Sequence, residues 1–379
     1  MTYSVYQHWD PLKVCIVGRS YPPEFYSWIT VPHVRSLFEK IATETEEDYQ
    51  NIINKLKSFG VEVLRPNLPS VNFYDGKYLP PPMVPRDYTI MIGKTFYNNH
   101  SSFNFGHFWY NFRKSDYPDC NTPEELNNLP DSIKSECIYA YNKYQLLANA
   151  HDGYKDIFEH IKNQGNTVKN LFYSCINGAM VSRIGKDLYF STTDYGEGIE
   201  GIKRNAAAEF KTTRNHIVDT GGHGDGTYCP VCPGLIISLA DVPTYADTFP
   251  GWEVVYLPGQ SWDKIQPFLD LKTKNNGKWW IPGFEQDQDV INVVETWLGH
   301  WTGYVEETVF DVNMLIVDPK NVMVFSYNKQ VFDALERYGI TPHIVPFRHR
   351  YFWDGGIHCL TSDLHREGTM QDYFPERPV

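Results

Sequence analysis

The sequence predicts an α/β fold made of about five copies of one strand–helix–strand module arranged around a single centre. Three observations support this prediction: pairs of apolar strands joined at a turn, helices that end at a glycine, and the regular alternation of the two along the chain. Modules of this size are typical of radial or stacked repeats. We therefore expect residues 1–379 to form one domain.

Each module begins with two apolar strands joined by a tight turn. β-branched and aromatic residues flank these turns, a pattern that predicts β-hairpins. Two of the turns share the sequence Ile-Gly-Lys, at Gly93 and Gly185. A single apolar strand, residues 13–18, opens the series. Four segments then have the hairpin pattern: residues 88–97, 179–190, 227–238 and 312–325.

The second half of each module is a helix, a glycine and a further strand. In residues 47–60, apolar side chains recur every three or four positions and so share one helix face, and Gly60 is the expected end of the helix. Residues 329–339 repeat this arrangement, and a degenerate copy ends at Gly251. The strands that follow are predicted at residues 61–66, 340–346 and 252–258.

One long segment departs from the pattern. Residues 98–157 are rich in aromatic and polar side chains, and Thr122 followed by Pro123 has the form of a helix start. We expect this segment to be an insertion over the core, and residues 205–215 to be a smaller decoration. The sequence contains no low-complexity linker that would divide the domain.

The composition excludes several classes of protein. Hydrophobic residues make up 42% and aromatic residues 15% of the chain, which provides a large core and excludes disorder. The net charge of -12, without any basic run, disfavours nucleic-acid binding. We find neither a signal peptide nor an apolar run near the roughly 18 residues of a membrane span. Seven scattered cysteines favour a reducing compartment, so we expect a cytoplasmic protein.

One cysteine stands in the context of a nucleophile. Cys359 follows the pair Gly355-Gly356, which frees the backbone to aim a side chain into a cleft, and the His-x-Asp unit His223 and Asp225 lies far upstream. A thiol served by a distant acid–base is the form of a catalytic cysteine. On a strand, the side chains of His223 and Asp225 would project from one face. The structural alternatives are a buried cysteine and a hydrogen-bonded loop histidine.

Four segments form an ordered set of motifs. They are residues 83–87 with Pro-Arg-Asp, residues 223–228 with His-x-Asp-x-Thr, residues 313–324 with Asn-Met-Leu-Ile-Val-Asp, and residues 355–368 around Cys359. Together they resemble the guanidine-modifying pentein superfamily and, within it, the arginine:glycine amidinotransferase family. The resemblance covers most of the chain and is weakest between residues 98 and 170.

The resemblance implies a five-bladed, pseudo-fivefold α/β propeller of ββαβ-type modules, with the active site on its axis. It also implies that Cys359 attacks L-arginine to form an S-amidino intermediate, with His223 as acid and base. Asp87 and Asp225 would bind the guanidinium through charge-assisted hydrogen bonds. A guanidinium carbon is a poor electrophile, which explains the need for a thiolate and for flanking carboxylates.

Two features depart from the family pattern. Asn177 and Met180 stand where the family has a carboxylate that orients the histidine, and Val242 stands near its carboxylate-binding arginine. We count Met180 and Arg183 with Asp87 and Asp225 as candidate substrate-binding residues. A structural role is the alternative for both: Met180 is by default a core methionine, and Arg183 fits a buried structural charge as well as it fits a substrate contact.

The sequence therefore predicts an amidinotransferase that moves the amidino group of L-arginine to a primary amine, glycine being the default acceptor. A hydrolase of the same superfamily and a non-catalytic guanidine-binding module are the alternatives. We expect no cofactor, no nucleic-acid partner and a homodimer. His223, Asp225, Cys229 and Cys232 have the residue types of a metal site, but one Cys-x-x-Cys unit without a second pair disfavours it, so no metal is predicted.

Overall fold

The computed structural model describes strands and helices of all five modules. The described residues are 2–70, 72–74, 76–98, 116–117, 119–120, 128–133, 152–170, 176–192, 198–239, 244–257, 281–299, 301, 311–353 and 355–377. Val242, at the position of the family's carboxylate-binding arginine, lies outside them.

Five three-stranded sheets repeat one topology. In each sheet the central strand pairs antiparallel with one neighbour and parallel with the other. We call the sheets blades 1 to 5 and name the central strand of each one second. Blade 1 consists of β17 (Thr361–Arg366), β1 (Leu12–Val17) and β2 (Glu62–Leu64), and blade 2 of β5 (Thr89–Ile92), β6 (Thr95–Asn98) and β7 (Thr167–Asn170). Blade 3 consists of β8 (Val181–Ile184), β9 (Asp187–Ser191) and β10 (Arg214–Val218), blade 4 of β11 (Tyr228–Cys232), β12 (Leu235–Ser238) and β13 (Glu253–Tyr256), and blade 5 of β14 (Leu315–Asp318), β15 (Asn321–Val324) and β16 (Thr341–Ile344). A small hairpin of β3 (Phe73–Tyr74) and β4 (Lys77–Tyr78) lies between blades 1 and 2 in the chain.

A helix connects the central strand of each blade to its parallel neighbour. Such crossovers are what parallel strands require. The crossover helices of blades 1 to 5 are α1 (Pro32–Ser58), α2 (Lys155–Asn163), α3 (Gly198–Glu209), α5 (Tyr245–Thr248) and α7 (Lys329–Arg337); α4 (Gly224–Thr227), α6 (Gln288–Trp297) and α8 (Arg350–Trp353) lie between blades in the chain. Short 3₁₀ helices span Pro23–Trp28, Pro85–Asp87 and Asp152–Tyr154.

Blade 1 joins the two ends of the chain. Its central strand β1, the first strand of the chain, pairs antiparallel with β17, the last strand of the chain, from Leu12 opposite Arg366 to Val17 opposite Thr361. The segment that carries Cys359 leads directly into β17. The pairing therefore fixes this segment against the first module and closes the series of blades.

The glycines predicted to mark turns and helix ends have left-handed backbone conformations. Gly93 and Gly185, in the two Ile-Gly-Lys turns, have φ angles of 57° and 65°. Gly60 and Gly339, which follow α1 and α7, have φ angles of 75° and 69°. A side chain would strain the backbone in this region, so these predictions are confirmed.

The apolar face predicted for residues 47–60 packs into the core. Tyr49, Ile52 and Leu56 are 0% exposed, and Ile53 is buried with them. The helix itself begins earlier than predicted, at Pro32. Pro32 suits a first helical turn because its missing N–H would have no helical partner there.

The predicted decoration at residues 205–215 is wrong. Residues up to Glu209 belong to α3, and Arg214 begins β10, so this segment is the crossover of blade 3. The run Ala206-Ala207-Ala208 favours a helix but lacks the apolar spacing that identified the other crossovers.

A buried ion cluster ties three blades and a 3₁₀ helix together. The carboxylate of Asp363 in β17 accepts hydrogen bonds from Arg86 Nη1 at 2.5 Å, Arg183 Nη2 at 2.8 and 2.9 Å, and Arg366 Nε at 2.6 Å. Arg366 also donates to the carbonyl of Ile316 in β14. Burial alone would raise the pKa of Asp363, but Arg183, Arg86 and Arg366 hold it well below its usual value. Asp363 thus joins blade 1 to blade 3 and to the 3₁₀ helix that precedes blade 2, and Arg366 extends the cluster to blade 5.

Candidate active site

The segment before β17 presents Cys359 next to Asn313. Gly356 makes this possible, since a Cβ there would lie 2.2 Å from Asn313 Oδ1. A Cβ at Gly355 would lie 3.3 Å from a methyl group of Val84. The sequence predicted that this glycine pair provides backbone freedom. The structure gives a different reason, which is close packing.

The sulfur of Cys359 contacts an amide on one side and a carboxylate on the other. Asn313 Nδ2 donates to Sγ at 3.1 Å, and Sγ lies 3.6 Å from Asp225 Oδ2. Cys359 is 0% exposed. The contacts suit a neutral thiol, which accepts one hydrogen bond from the amide and donates one to the carboxylate.

His223 and Asp225 lie at a helical turn rather than on a strand. Residues 224–227 form α4, and His223 is the residue that precedes it. The predicted strand is wrong because Gly224 and Gly226 are poor strand formers, and a Cβ at Gly224 would lie 2.1 Å from Ser191 Oγ. The N–H of Asp225 donates to the carbonyl of Ala179, which directs the buried carboxylate toward Cys359. His223 is half-buried beside it.

The Pro-Arg-Asp motif lies against the nucleophile segment. The N–H of Arg86 donates to the carbonyl of Cys359 at 3.3 Å, and Arg86 Nε donates to the carbonyl of Thr361 at 2.8 Å. Asp87 follows at the end of the 3₁₀ turn and is half-buried. Asp87 is thus the residue next to one that is hydrogen-bonded to Cys359.

His358 is a site residue that the sequence interpretation missed. Its Nδ1 lies 2.7 Å from Asp225 Oδ2, the same oxygen that faces the sulfur of Cys359. Burial, together with the charge of Arg86, holds the pKa of His358 well below its usual value. A neutral ring that donates from Nδ1 to Asp225 explains the short contact. The residue immediately before Cys359 was visible in the sequence, but its partner lies 133 positions away.

A small internal cavity adjoins His358 and Asp225. It has space for about one water molecule. Its polar lining includes His8, whose Nε2 accepts a hydrogen bond from the N–H of Arg183. The rings of His8 and His358 are 6.0 Å apart between centroids. The two histidines therefore lie close together at this cavity.

The structure places the candidates Arg183 and Met180 in supporting positions. Arg183 is 0% exposed and directs its guanidinium at Asp363 and the carbonyl of Met91. Burial lowers its pKa to about 10, although Asp363 opposes this shift. Met180 is 3% exposed within an apolar cluster. The geometry gives no support to substrate contact by either residue, and the structural alternatives account for both.

Asn177 takes a local structural role at the position of the missing carboxylate. Its Oδ1 accepts hydrogen bonds from the N–H groups of Ala179 and Met180, both at 2.9 Å. It therefore shapes the turn whose Ala179 carbonyl receives the N–H of Asp225. Asn177 holds the frame of the site without supplying a charge.

The residue types considered for a metal site do not suit one. Cys229 and Cys232 are buried in β11, and burial raises their pKa values to about 12 and about 11. Within the described part of the chain, no three of His223, Asp225, Cys229 and Cys232 bring their ligand atoms within 4.8 Å of one another. The structure therefore does not assemble these residues into a metal site.

Known amidinotransferases resemble this chain along nearly its whole length. No protein-family profile matches the sequence. The mitochondrial glycine amidinotransferase of Xenopus tropicalis is 24% identical over 400 residues, which cover 97% of this chain and 84% of that protein. The L-arginine:L-lysine amidinotransferase of Pseudomonas savastanoi pv. phaseolicola is 22% identical over 216 residues, 55% of this chain and 49% of that protein.

Two solved structures share the fold. An amidinotransferase of the saxitoxin biosynthetic pathway from Microseira wollei superposes with a TM-score of 0.62 at 18% identity, covering 99% of this chain and 100% of that one. The inosamine-phosphate amidinotransferase of Streptomyces griseus gives 0.59 at 18% identity, covering 98% and 99%. With the five repeated blades, these similarities confirm the predicted fold. The relatives in sequence and the neighbours in structure are thus named amidinotransferases, and this chain shares the pentein fold of the two solved structures.

Proposed function

We propose that this amidinotransferase transfers the amidino group of L-arginine through Cys359 to a primary amine, with glycine as the default acceptor. The observation that carries the proposal is the position of the Cys359 sulfur, held between the amide of Asn313 and the carboxylate of Asp225. A nucleophile that must attack a cation benefits from a carboxylate that also binds that cation.

In the first half-reaction, Cys359 displaces ornithine from arginine. A bond forms between Sγ and the guanidinium carbon, and the bond from that carbon to the Nε nitrogen of arginine breaks. His223 takes the thiol proton and delivers it to the nitrogen that departs with ornithine. Asp87 and Asp225 bind the nitrogens of the amidino group while the charge is redistributed.

In the second half-reaction, the acceptor amine reverses these changes. Its nitrogen attacks the amidino carbon, His223 takes a proton from it, and the bond between the carbon and Sγ breaks. His223 passes that proton to the sulfur, so the enzyme returns to its starting state. Glycine would yield guanidinoacetate, and each turnover releases one ornithine.

The contacts of Cys359 suggest how its reactivity is controlled. In the substrate-free site, the thiol can keep its proton and donate it to Asp225 Oδ2. An arginine guanidinium would compete for that oxygen and bring positive charge to the sulfur, which favours the thiolate. We therefore expect substrate binding itself to activate Cys359.

Product analysis tests the proposal. Enzyme incubated with arginine and glycine should release ornithine and guanidinoacetate in equal amounts, and the Cys359→Ser variant should release neither. Ornithine without guanidinoacetate would contradict glycine as the acceptor and direct the search to other amines. Urea or citrulline formed without any amine would instead support the hydrolase alternative.

Two further expectations stay predictions. A homodimer would be detected by light scattering of the purified protein, and a cytoplasmic location by fractionation of cells that produce it. Among the helices that the structure describes, we find none with the length and apolar character to cross a bilayer.

A further inference from the structure

The side chain of Asn313 makes four hydrogen bonds, all of them to the candidate active site. Its Oδ1 accepts from the N–H of His358 at 2.8 Å and the N–H of Cys359 at 3.2 Å. Its Nδ2 donates to Cys359 Sγ at 3.1 Å and to the carbonyl of Asp225 at 3.2 Å. A primary amide has two donors and one oxygen with two lone pairs, so this amide uses its full capacity.

Close packing fixes the orientation of the Asn313 side-chain amide. Asn313 is 1% exposed, two residues before β14. Gly356 packs flat against it, and a Cβ at that position would overlap both Oδ1 and Cγ. The orientation that brings Nδ2 to the sulfur is thus fixed by packing and by the two backbone N–H groups that hold Oδ1.

We propose that Asn313 is a positioning residue that fixes the sulfur of Cys359 and stabilises its thiolate by donating a hydrogen bond from Nδ2. A purely structural clamp would need only the backbone contacts. The contact of Nδ2 with Sγ, in contrast, involves a reacting atom. A hydrogen bond donated to an anion favours the ionised form of that group. The inference rests on the proposed function only in taking Cys359 as the nucleophile.

Under the proposed function, Asp87 and His223 act at the same site, and both are unchanged in the variants used below. The remaining titratable groups near the sulfur do not supply this effect. Asp225, at 3.6 Å, is an anion and disfavours a thiolate. His358 donates to Asp225 and is kept neutral by burial, and His8 lies behind it. The guanidinium of Arg86 is bound to Asp363 and to backbone carbonyls. Asn313 Nδ2, in contrast, is a neutral donor that makes a hydrogen bond to Sγ.

The test is the pH dependence of Cys359 alkylation by iodoacetamide in substrate-free enzyme. The signal of a Cys359→Ser variant is subtracted to remove the other cysteines. Asn313→Asp keeps an acceptor for the two backbone N–H groups but turns an anionic oxygen toward the sulfur. We expect the pH of half-maximal alkylation to rise by about one unit or more. An unchanged midpoint would overturn the proposal.

Asn166→Asp is the matched control. Asn166 is also a buried clamp: its Oδ1 accepts from the N–H of Tyr3, and its Nδ2 donates to the carbonyls of Tyr3 and Lys94. Its substitution removes the same kind of hydrogen bonds without touching the sulfur. We expect it to lower thermal stability and to leave the alkylation midpoint in place. A midpoint that moves equally in both variants would contradict a specific effect of Asn313.

Gly356→Ala provides a second route if Asn313→Asp does not fold. Its Cβ displaces the amide of Asn313 without changing its chemistry, so the alkylation midpoint should again rise. A midpoint unchanged in the folded Gly356→Ala protein would count against the proposal. Alkylation requires neither arginine nor an amine, so these outcomes are independent of whether ornithine and guanidinoacetate are formed.

Discussion

At the scale of single residues, one carboxylate oxygen contacts both a buried histidine and the proposed nucleophile. Oδ2 of Asp225 lies 2.7 Å from His358 Nδ1 and 3.6 Å from Cys359 Sγ. Under the proposed function this carboxylate must also receive the guanidinium. Its rotation therefore has to be limited before substrate arrives, and His358 supplies that restraint through a neutral ring.

Removal of this restraint should weaken arginine use. We expect His358→Ala to lower kcat/KM for arginine by about 10- to 100-fold, because a carboxylate that can rotate binds the guanidinium in the wrong place. His358→Asn, which keeps a donor near the position of Nδ1, should recover part of the loss. Steady-state kinetics with varied arginine give these values.

A histidine outside the site serves as control for this prediction. His365 lies in β17 and contacts the backbone of Ser4. His365→Ala should leave kcat/KM near the wild-type value. If His358→Ala behaves like His365→Ala, Asp225 is held by other contacts and the account of His358 is wrong.

At the scale of elements, identical turn sequences meet different surroundings. The Ile-Gly-Lys turns at Gly93 and Gly185 both have positive φ angles, of 57° and 65°. A Cβ at Gly93 would find its nearest contact 3.8 Å away, on the Tyr6 ring. At Gly185 it would lie 2.1 Å from the carbonyl oxygen of Gln371, in the C-terminal segment that follows β17.

The two turns should therefore differ in their tolerance of alanine. We expect Gly93→Ala to lower the free energy of unfolding by about 1 to 2 kcal/mol through backbone strain alone. Gly185→Ala should cost more, since it also displaces the C-terminal segment. Urea unfolding of the two variants measures the difference. Equal losses would show that the contact with Gln371 is not maintained in solution.

The sequence could predict the elements far better than the contacts of the site. Hairpins, capped helices and their glycines follow from local patterns, which explains why blade 5 and α1 were recognised. α3 was missed because its apolar residues lack clear spacing. Asn313 and His358 acquire their roles from partners 46 and 133 residues away, at Cys359 and Asp225. No local pattern encodes such distances, so the structure was needed to find them.

At the scale of the whole molecule, buried charges at the centre make stability depend on pH. The pKa of His8 lies well below its usual value because of burial and the charge of Arg183, and that of His358 is lowered as well. Unfolding exposes both rings, which then bind protons below about pH 6.5. Asp363, whose pKa is held well below its usual value, adds a second loss of stability below about pH 4.

Stability should thus fall in two steps as the solution is acidified. Between about pH 6.5 and 4, each histidine that stays neutral in the fold contributes a slope of up to about 1.4 kcal/mol per pH unit. We expect His8→Gln to reduce this slope by about that amount, with the exposed His33→Gln as control. Urea unfolding at several pH values gives the slopes. A His8→Gln slope equal to that of the wild type would contradict the account.

The central claim, that Cys359 carries the amidino group, is tested most directly by the intact mass of the enzyme mixed with L-arginine alone. We predict a gain of one amidino group in the wild type, located on Cys359 by peptide mapping and absent in Cys359→Ser, with an equal amount of ornithine released. Addition of a primary amine that acts as acceptor should return the enzyme to its original mass. A mass gain of arginine less ammonia would mean that the ornithine part stays bound, as in a hydrolase. That result, or no mass gain on Cys359, would contradict the amidino transfer proposed here.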